Sequence, residues 1–208
     1  MFVKFRDKSV NDIFINFSHF LDHFMMLIFA KAAYDAGRSF GMGYEEIITY
    51  GTLSFILFGA CAPVAARLSD VYSRSLLMVV FHFGIGISAV LASFAANPLQ
   101  LMIYLALLGG FAAIFHPVGI AMLLKSNKRR GLRLGINGVF GNLGVAAAPL
   151  FIGIVLIKGD WRFGFCLSGI ICLFYGFIFL LNLKEQAIEE NSCNNFREEK
   201  EFSEGWQR

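Results

Sequence analysis

The chain has few charged residues. Asp, Glu, Lys and Arg make up 16% of its 208 residues, whereas a soluble domain carries about 25%. Hydrophobic residues supply 57%, and the mean hydropathy is +0.62. This composition argues against a soluble enzyme and a disordered chain, and it indicates a membrane protein.

The sequence also lacks the motifs of several functional classes. The formal net charge is only +3, and the positive groups lie in separate short stretches, so no nucleic-acid partner is expected. The four cysteines form no Cys-x-x-Cys pair and the histidines lack the spacing of a zinc site, so neither a metal nor a cofactor is expected. Neither a Gly-x-Ser-x-Gly nor a His-Glu-x-x-His motif is present, which argues against an intramembrane enzyme.

Long apolar runs dominate the sequence instead. A transmembrane helix needs about 20 mostly apolar residues, and six stretches qualify: 14–36, 47–66, 76–96, 99–124, 135–157 and 163–183. The connections between them are short. We therefore predict an all-α membrane protein with one six-helix bundle over residues 14–183, an N-terminal segment at 1–13 and an acidic tail at 184–208.

The distribution of Lys and Arg predicts the orientation of the bundle. Cytoplasmic loops carry an excess of these residues. Ten lie before the first predicted span, between the second and third, and between the fourth and fifth, against three in the other connections. We therefore expect a multi-pass protein of the plasma membrane with both termini in the cytoplasm.

Polar residues are concentrated in the first predicted span. Asn16, His19 and His23 share one helical face, and Asp22 lies beside it. Ionisable residues at membrane depth are costly and by default mark functional sites. Because a carboxylate shifts the titration of a neighbouring histidine, Asp22, His19 and His23 are candidates to load and release a proton. The alternative is a hydrogen-bond cluster that only fixes packing.

Three other polar residues of the predicted spans favour structural roles. Lys31 and Asp35 lie four residues apart, which is the spacing of a helical ion pair. His82 stands alone in an apolar stretch and is predicted to be a core or interfacial histidine.

A proline interrupts the fourth predicted span. Pro117 has no amide hydrogen and its ring clashes with the carbonyl of Ala113, so the helix should kink there. Irregular backbone at membrane depth is tolerated inside protein or along a cavity. His116 lies at this bend, where it either binds substrate or a proton, or satisfies the freed backbone.

Glycines recur every three or four residues in the fifth predicted span, from Gly131 to Gly144. Small residues at this spacing let a neighbouring helix approach closely, and packing alone explains them. Asn137 and Asn142 lie among these glycines. An amide at this depth needs partners across a helix interface or in a cavity.

Several of these segments resemble a known family. Six spans with cytoplasmic termini, and the segment 66–74 (ARLSDVYSR) with Asp70 and Arg74, resemble the amino-terminal half of a major facilitator superfamily transporter. The segments 16–19 (NFSH), 116–119 (HPVG), 135–146 (GINGVFGNLGVA) and 161–162 (WR) are similar to its fosmidomycin-resistance-type branch, which includes drug/proton antiporters of the bacterial inner membrane.

The resemblance implies a fold and a set of roles. Such carriers have twelve spans in two halves, each half built from two inverted three-helix repeats, with the substrate bound between the halves. It implies proton-coupled transport of a small molecule across the cell inner membrane, with drug efflux as one form. His19, Asp22 and His23 would carry the proton. Asn16, His116, Asn137 and Asn142 would line the substrate pathway, and Asp70 with Arg74 would gate the cytoplasmic side.

One half of such a carrier leaves alternatives open. Either a second copy or a separate carboxy-terminal half completes it, or the chain is a truncated product. We favour truncation, because no span follows the acidic tail. The alternative function is a non-transporting membrane module that binds another protein through its small-residue face. A further alternative is an inactive fragment. The sequence predicts neither the substrate nor the direction of transport.

Overall fold

The computed structural model describes the backbone of residues 11–125 and 129–205 and the side chains of 11–125 and 129–183. All regular structure in these ranges is helical. Six helices are long and apolar enough to cross a membrane, as predicted: Asp12–Ser39, Tyr44–Val71, Arg74–Ser93, Pro98–Leu123, Arg130–Lys158 and Trp161–Leu183. We number them spans 1 to 6.

The predicted terminal segments lie largely outside these ranges. The predicted N-terminal segment is described only from residue 11, so Lys4, Arg6 and Lys8 are outside the described residues, as is Lys128. The helix of span 6 continues along the backbone to Gly205, while the side chains of the acidic tail are outside the described set.

Most helices extend beyond the apolar runs that predicted them, because a helix can continue past the hydrocarbon core into the polar interface. Spans 2 and 3 are joined by only Tyr72 and Ser73. The Ser73 hydroxyl begins span 3 by accepting a hydrogen bond from the Leu76 amide at 3.2 Å. Asn97 caps span 4 in the same way through the Gln100 amide at 2.9 Å, and Pro98 occupies the first helical position.

Two spans are interrupted. Span 2 passes through a 3₁₀ turn at Ile48–Gly51 before continuing from Thr52. Span 4 consists of the helices Pro98–Ala112 and Phe115–Leu123, with a break at Ala113 and Ile114. The break lies one turn before Pro117 and confirms the predicted kink, since proline displaces the carbonyl four residues earlier.

The helices pack in pairs. Span 1 lies along span 5 and span 3 along span 6, while span 4 contacts spans 2 and 3. Spans 1 and 3 supply much of the apolar core, and spans 2 and 5 leave the largest share of their surfaces uncovered. The bundle is therefore closed along spans 1, 3, 4 and 6 and open along spans 2 and 5.

Glycines hold span 5 against span 1. A Cβ at Gly144 would collide with the backbone carbonyl of Phe20, and one at Gly141 would lie 2.8 Å from the His19 ring. Gly131, Gly135 and Gly138 differ, because a Cβ there would meet nothing within 4 Å. The predicted close approach is therefore confirmed for the last two glycines of the stripe only.

The other polar predictions for the spans have mixed outcomes. The predicted Lys31–Asp35 ion pair is wrong: in the described part of the chain the two side chains form no ion pair, and Lys31 is exposed. His82 is fully buried, and its Nε2 lies 2.9 Å from the Ser18 hydroxyl. That hydroxyl donates to the Phe14 carbonyl at 2.8 Å, so it accepts from His82. The prediction of a core histidine is confirmed.

The glycine contacts predict that alanine substitutions at two positions of span 5 change the stability of the bundle in opposite directions. Alanine is favoured over glycine in a helix by about 1 kcal/mol, but overpacking against backbone costs about 1–3 kcal/mol. We expect Gly144→Ala to lower the melting temperature of the detergent-solubilised chain, by about 2–4 °C per kcal/mol. Gly138→Ala should leave it unchanged or raise it. Equal melting temperatures for the two variants would contradict the close contact of spans 1 and 5.

Candidate functional site

Two of the predicted pathway residues lie in the interface between spans 1 and 5. Asn137 Nδ2 donates to Asn16 Oδ1 at 2.9 Å, and both side chains are buried. The Asn137 carbonyl oxygen lies 2.8 Å from His19 Nδ1. These bonds satisfy polar groups that would otherwise be exposed at membrane depth. The structure thus places both amides in a helix interface, and their role in a substrate pathway stays a prediction.

The bond to the Asn137 carbonyl fixes the protonation of His19. A carbonyl oxygen can only accept, so His19 Nδ1 carries a hydrogen. In the neutral ring, Nε2 then has a free lone pair. This lone pair accepts a hydrogen bond from His23 Nε2–H at 3.0 Å, one helical turn further along span 1.

A third histidine joins this pair from another helix. His116 is the second residue of the helix that restarts after the break in span 4. Its ring centroid lies 5.3 Å from that of His19 and 5.6 Å from that of His23. One ring nitrogen from each of the three residues lies within 4.8 Å of the others. We call His19, His23 and His116 the histidine cluster.

Asp22 is the acidic member of the site. It is fully buried, and its Oδ2 lies 3.5 Å from His116 Nε2. Among the described atoms, neither carboxylate oxygen has a hydrogen-bond partner. An ionised carboxylate without a partner is very costly in a low-dielectric environment. Ionised Asp22 therefore requires a proton or another cation on the histidine side.

Aromatic rings line one side of the cluster. His19 stacks on Phe115 with ring centroids 4.8 Å apart, and His116 meets the ring of Phe58 from span 2 edge-on at 5.6 Å. His23 is half-buried and the His116 side chain is 36% exposed. The cluster is thus walled by aromatic rings on one side and accessible on the other.

The remaining predicted residues lie apart from the cluster. Asn142 is exposed on span 5, next to Gly141. Asp70 is exposed in the last turn of span 2, and Arg74 is the first residue of span 3. Asp70 follows Phe58 by twelve positions, or about 18 Å along the helix. The structure therefore places the gating candidates at one end of the bundle and the histidines near its middle.

One polar contact was missed by sequence reasoning. The Arg133 guanidinium forms a bidentate pair with Asp12: Nε donates to Oδ2 at 2.6 Å, and Nη2 donates to Oδ1. It joins the first turns of spans 1 and 5. An acidic residue in the first turn of a helix, such as Asp12, is favoured by the helix dipole and was the only signal in the sequence. Its partner Arg133 lies 121 residues away and could be identified only from the packed helices.

Comparison with known proteins identifies the family. The Major Facilitator Superfamily profile matches residues 13–207. The puromycin resistance protein pur8 of Streptomyces alboniger is 30% identical over 121 residues, which are 57% of this chain and 24% of that protein. A probable hexose phosphate transport protein of Chlamydia trachomatis is 23% identical over 165 residues, which are 77% of this chain and 36% of that protein.

A solved structure shares the fold. The crystal structure of the peptide transporter POT in complex with sulfate matches with a TM-score of 0.64 and 20% identity, over 84% of this chain and 38% of that one. The chain thus matches between about a quarter and two fifths of the length of these proteins, and it folds as one six-helix half. The likeness to the fosmidomycin-resistance-type branch stays a prediction. The match over nearly the whole length shows that this chain belongs to the Major Facilitator Superfamily.

Proposed function

We propose that the chain forms half of a proton-coupled carrier that moves a small molecule across the bacterial inner membrane. The observation that supports this most strongly is Asp22, a buried carboxylate with no hydrogen-bond partner among the described atoms, beside a cluster of three histidines. A membrane helix rarely keeps such a group unless it works on a proton, ion or substrate.

Asp22 and the histidine cluster hold the transported proton in this proposal. When a proton is bound, it lies between Asp22 and His116, and the pair is electrically compensated. When the proton leaves, the carboxylate is uncompensated at membrane depth. The carrier can therefore change between its inward-open and outward-open states at low energy only when the proton, or a substrate cation, is bound. This coupling uses His19 and His23 as further acceptors along the same face.

The surroundings of the site favour an apolar or cationic substrate over an anionic one. Phe58 and Phe115 offer ring faces and edges beside the cluster, and the Asp22 carboxylate would repel a phosphate. Among the two named relatives, this agrees better with the puromycin resistance protein than with the hexose phosphate transporter. Drug efflux is therefore the form of transport we propose, with Asn142 and the exposed side of His116 on the substrate pathway.

The open side of the bundle requires a partner. Spans 2 and 5 are the least covered, and Gly131, Gly135 and Gly138 leave room beside span 5 for another helix. We propose that a second six-helix unit, either a further copy or a separate carboxy-terminal half, covers this side. The excess of Lys and Arg supports cytoplasmic termini, including segments 1–13 and 184–208.

The proton-coupling role predicts the effect of one substitution. In proteoliposomes with an imposed pH gradient, we expect Asp22→Asn to reduce puromycin flux more than about tenfold, because a neutral amide no longer needs a compensating proton. Asp35→Asn is the matched control, since it makes the same change in the same helix and disrupts no ion pair. Full flux by Asp22→Asn would exclude the proton role, and absence of flux with the unaltered chain would contradict puromycin transport by copies of this chain alone.

The gating role predicts a different separation. Asp70 is exposed, so Asp70→Asn should leave the melting temperature unchanged. It should reduce the rate of transport severalfold, because the proposed attraction between Asp70 and Arg74 acts during the conformational change. Glu45→Gln, an exposed acid at the opposite end of span 2, should affect neither. Equal transport rates for the two variants would remove Asp70 from the gate.

A further inference from the structure

We propose that the histidine cluster binds a divalent transition-metal ion of the zinc type. This adds a ligand to the site described above. It rests on the proposed carrier function only in taking the cluster to be reachable from the open side of the bundle, and binding itself requires no transport.

The positions of the nitrogens favour metal coordination. In a tetrahedral zinc site with Zn–N bonds of about 2.0–2.1 Å, ligand nitrogens lie about 3.3 Å apart. His19 Nε2 and His23 Nε2 are 3.0 Å apart and share a hydrogen bond, which a metal ion replaces when the His23 hydrogen moves to Nδ1. All three ligand atoms lie within 4.8 Å of one another. The His116 side chain is 36% exposed, so its ring has room to turn and close the remaining gap.

The hydrogen bond that His19 makes through its other ring nitrogen is the one found in known metal sites. Metal-ligating histidines usually donate their other ring N–H to a carbonyl or a carboxylate, which fixes the tautomer and the ring orientation. His19 Nδ1 does so with the Asn137 carbonyl, and Asn137 is held in turn by Asn16. The lone pair of His19 Nε2 is thereby directed at the cluster before any metal arrives.

The buried carboxylate is a second, independent observation. Asp22 is fully buried, and neither of its oxygens is hydrogen-bonded among the described atoms. Its Oδ2 lies 3.5 Å from His116. Neutral histidines cannot compensate the negative charge of Asp22. A dication bound to the three histidines would do so.

The ligand set indicates the class of metal. Imidazole nitrogens suit Zn²⁺, Co²⁺, Ni²⁺ and Cu²⁺, whereas Mg²⁺ and Ca²⁺ require mainly oxygen ligands. Three protein nitrogens also leave one coordination position open for water or a substrate group. The absence of a zinc-type spacing in the sequence does not conflict with this site, because the third ligand comes from a separate helix.

Binding can be tested on the purified full chain in detergent, with an affinity tag that contains no histidine. We expect Co²⁺ to give the visible absorption of a nitrogen-ligated ion at about one ion per chain, Zn²⁺ to displace it, and Mg²⁺ to have no effect. His116→Ala and His23→Ala should each weaken Zn²⁺ binding about 100-fold or more. Asp22→Asn should weaken it about 10-fold to 100-fold, as expected for loss of a carboxylate that contacts a metal ligand.

His82→Gln is the control. It alters a buried histidine outside the cluster and retains an amide that can donate to Ser18, so Zn²⁺ binding should be unchanged. Circular dichroism and gel filtration identify variants that fail to fold, and His116→Gln, which retains most of the side-chain volume, replaces His116→Ala if that variant aggregates.

Two results would overturn the proposal: a folded, monodisperse chain that binds no Zn²⁺, or binding that is insensitive to both His116 variants. The outcome is separable from that of the transport assay. Stoichiometric binding without proton-driven flux would support the metal site and contradict transport by this chain alone, whereas proton-driven flux by a chain that binds no metal would support the carrier and contradict the metal site.

Discussion

The contact between spans 1 and 5 is the constraint on which the site depends. A polar group at membrane depth must find its partners within the protein, because lipid offers none. Asn16, Asn137 and His19 satisfy one another across this contact, and Gly141 and Gly144 permit the short distance between the helices that these bonds require. If spans 1 and 5 moved apart, these hydrogen bonds would therefore break.

The break in span 4 has an equally specific consequence. Pro117 interrupts the helix at Ala113 and Ile114, and the restarted segment brings His116 against span 1. An uninterrupted helix would follow a different path and present a different face to the histidines. The irregular backbone thus lies where membrane proteins tolerate it, inside the protein and next to a polar site.

The buried histidines show how similar residues acquire different roles. His82 lies among aromatic rings with its Nε2 bound to Ser18, and it connects spans 1 and 3. His19, His23 and His116 instead face one another and an acid that lacks hydrogen bonds among the described atoms. Burial separates them in part, since His82 is fully buried while the His116 side chain is 36% exposed, but His19 is buried as well. The difference lies in the neighbours: His82 packs against aromatic rings, whereas the three rings of the cluster lie beside a buried carboxylate, and the proposed proton and metal roles rest on that arrangement.

The sequence by itself determined the number of spans, their approximate bounds and the kink at Pro117, because apolar length and proline chemistry act locally along the chain. It also predicted a small-residue face from Gly131 to Gly144, of which the structure confirms Gly141 and Gly144. Only the tertiary structure decided which polar residues meet. It joined His116 to His19 and His23, turned Asn16 and Asn137 towards each other, paired Asp12 with Arg133, and left Lys31 without the ion pair that its spacing predicted. The first three outcomes depend on distances between helices far apart in the chain, which no local pattern encodes. The fourth shows that spacing within one helix permits an ion pair without requiring it.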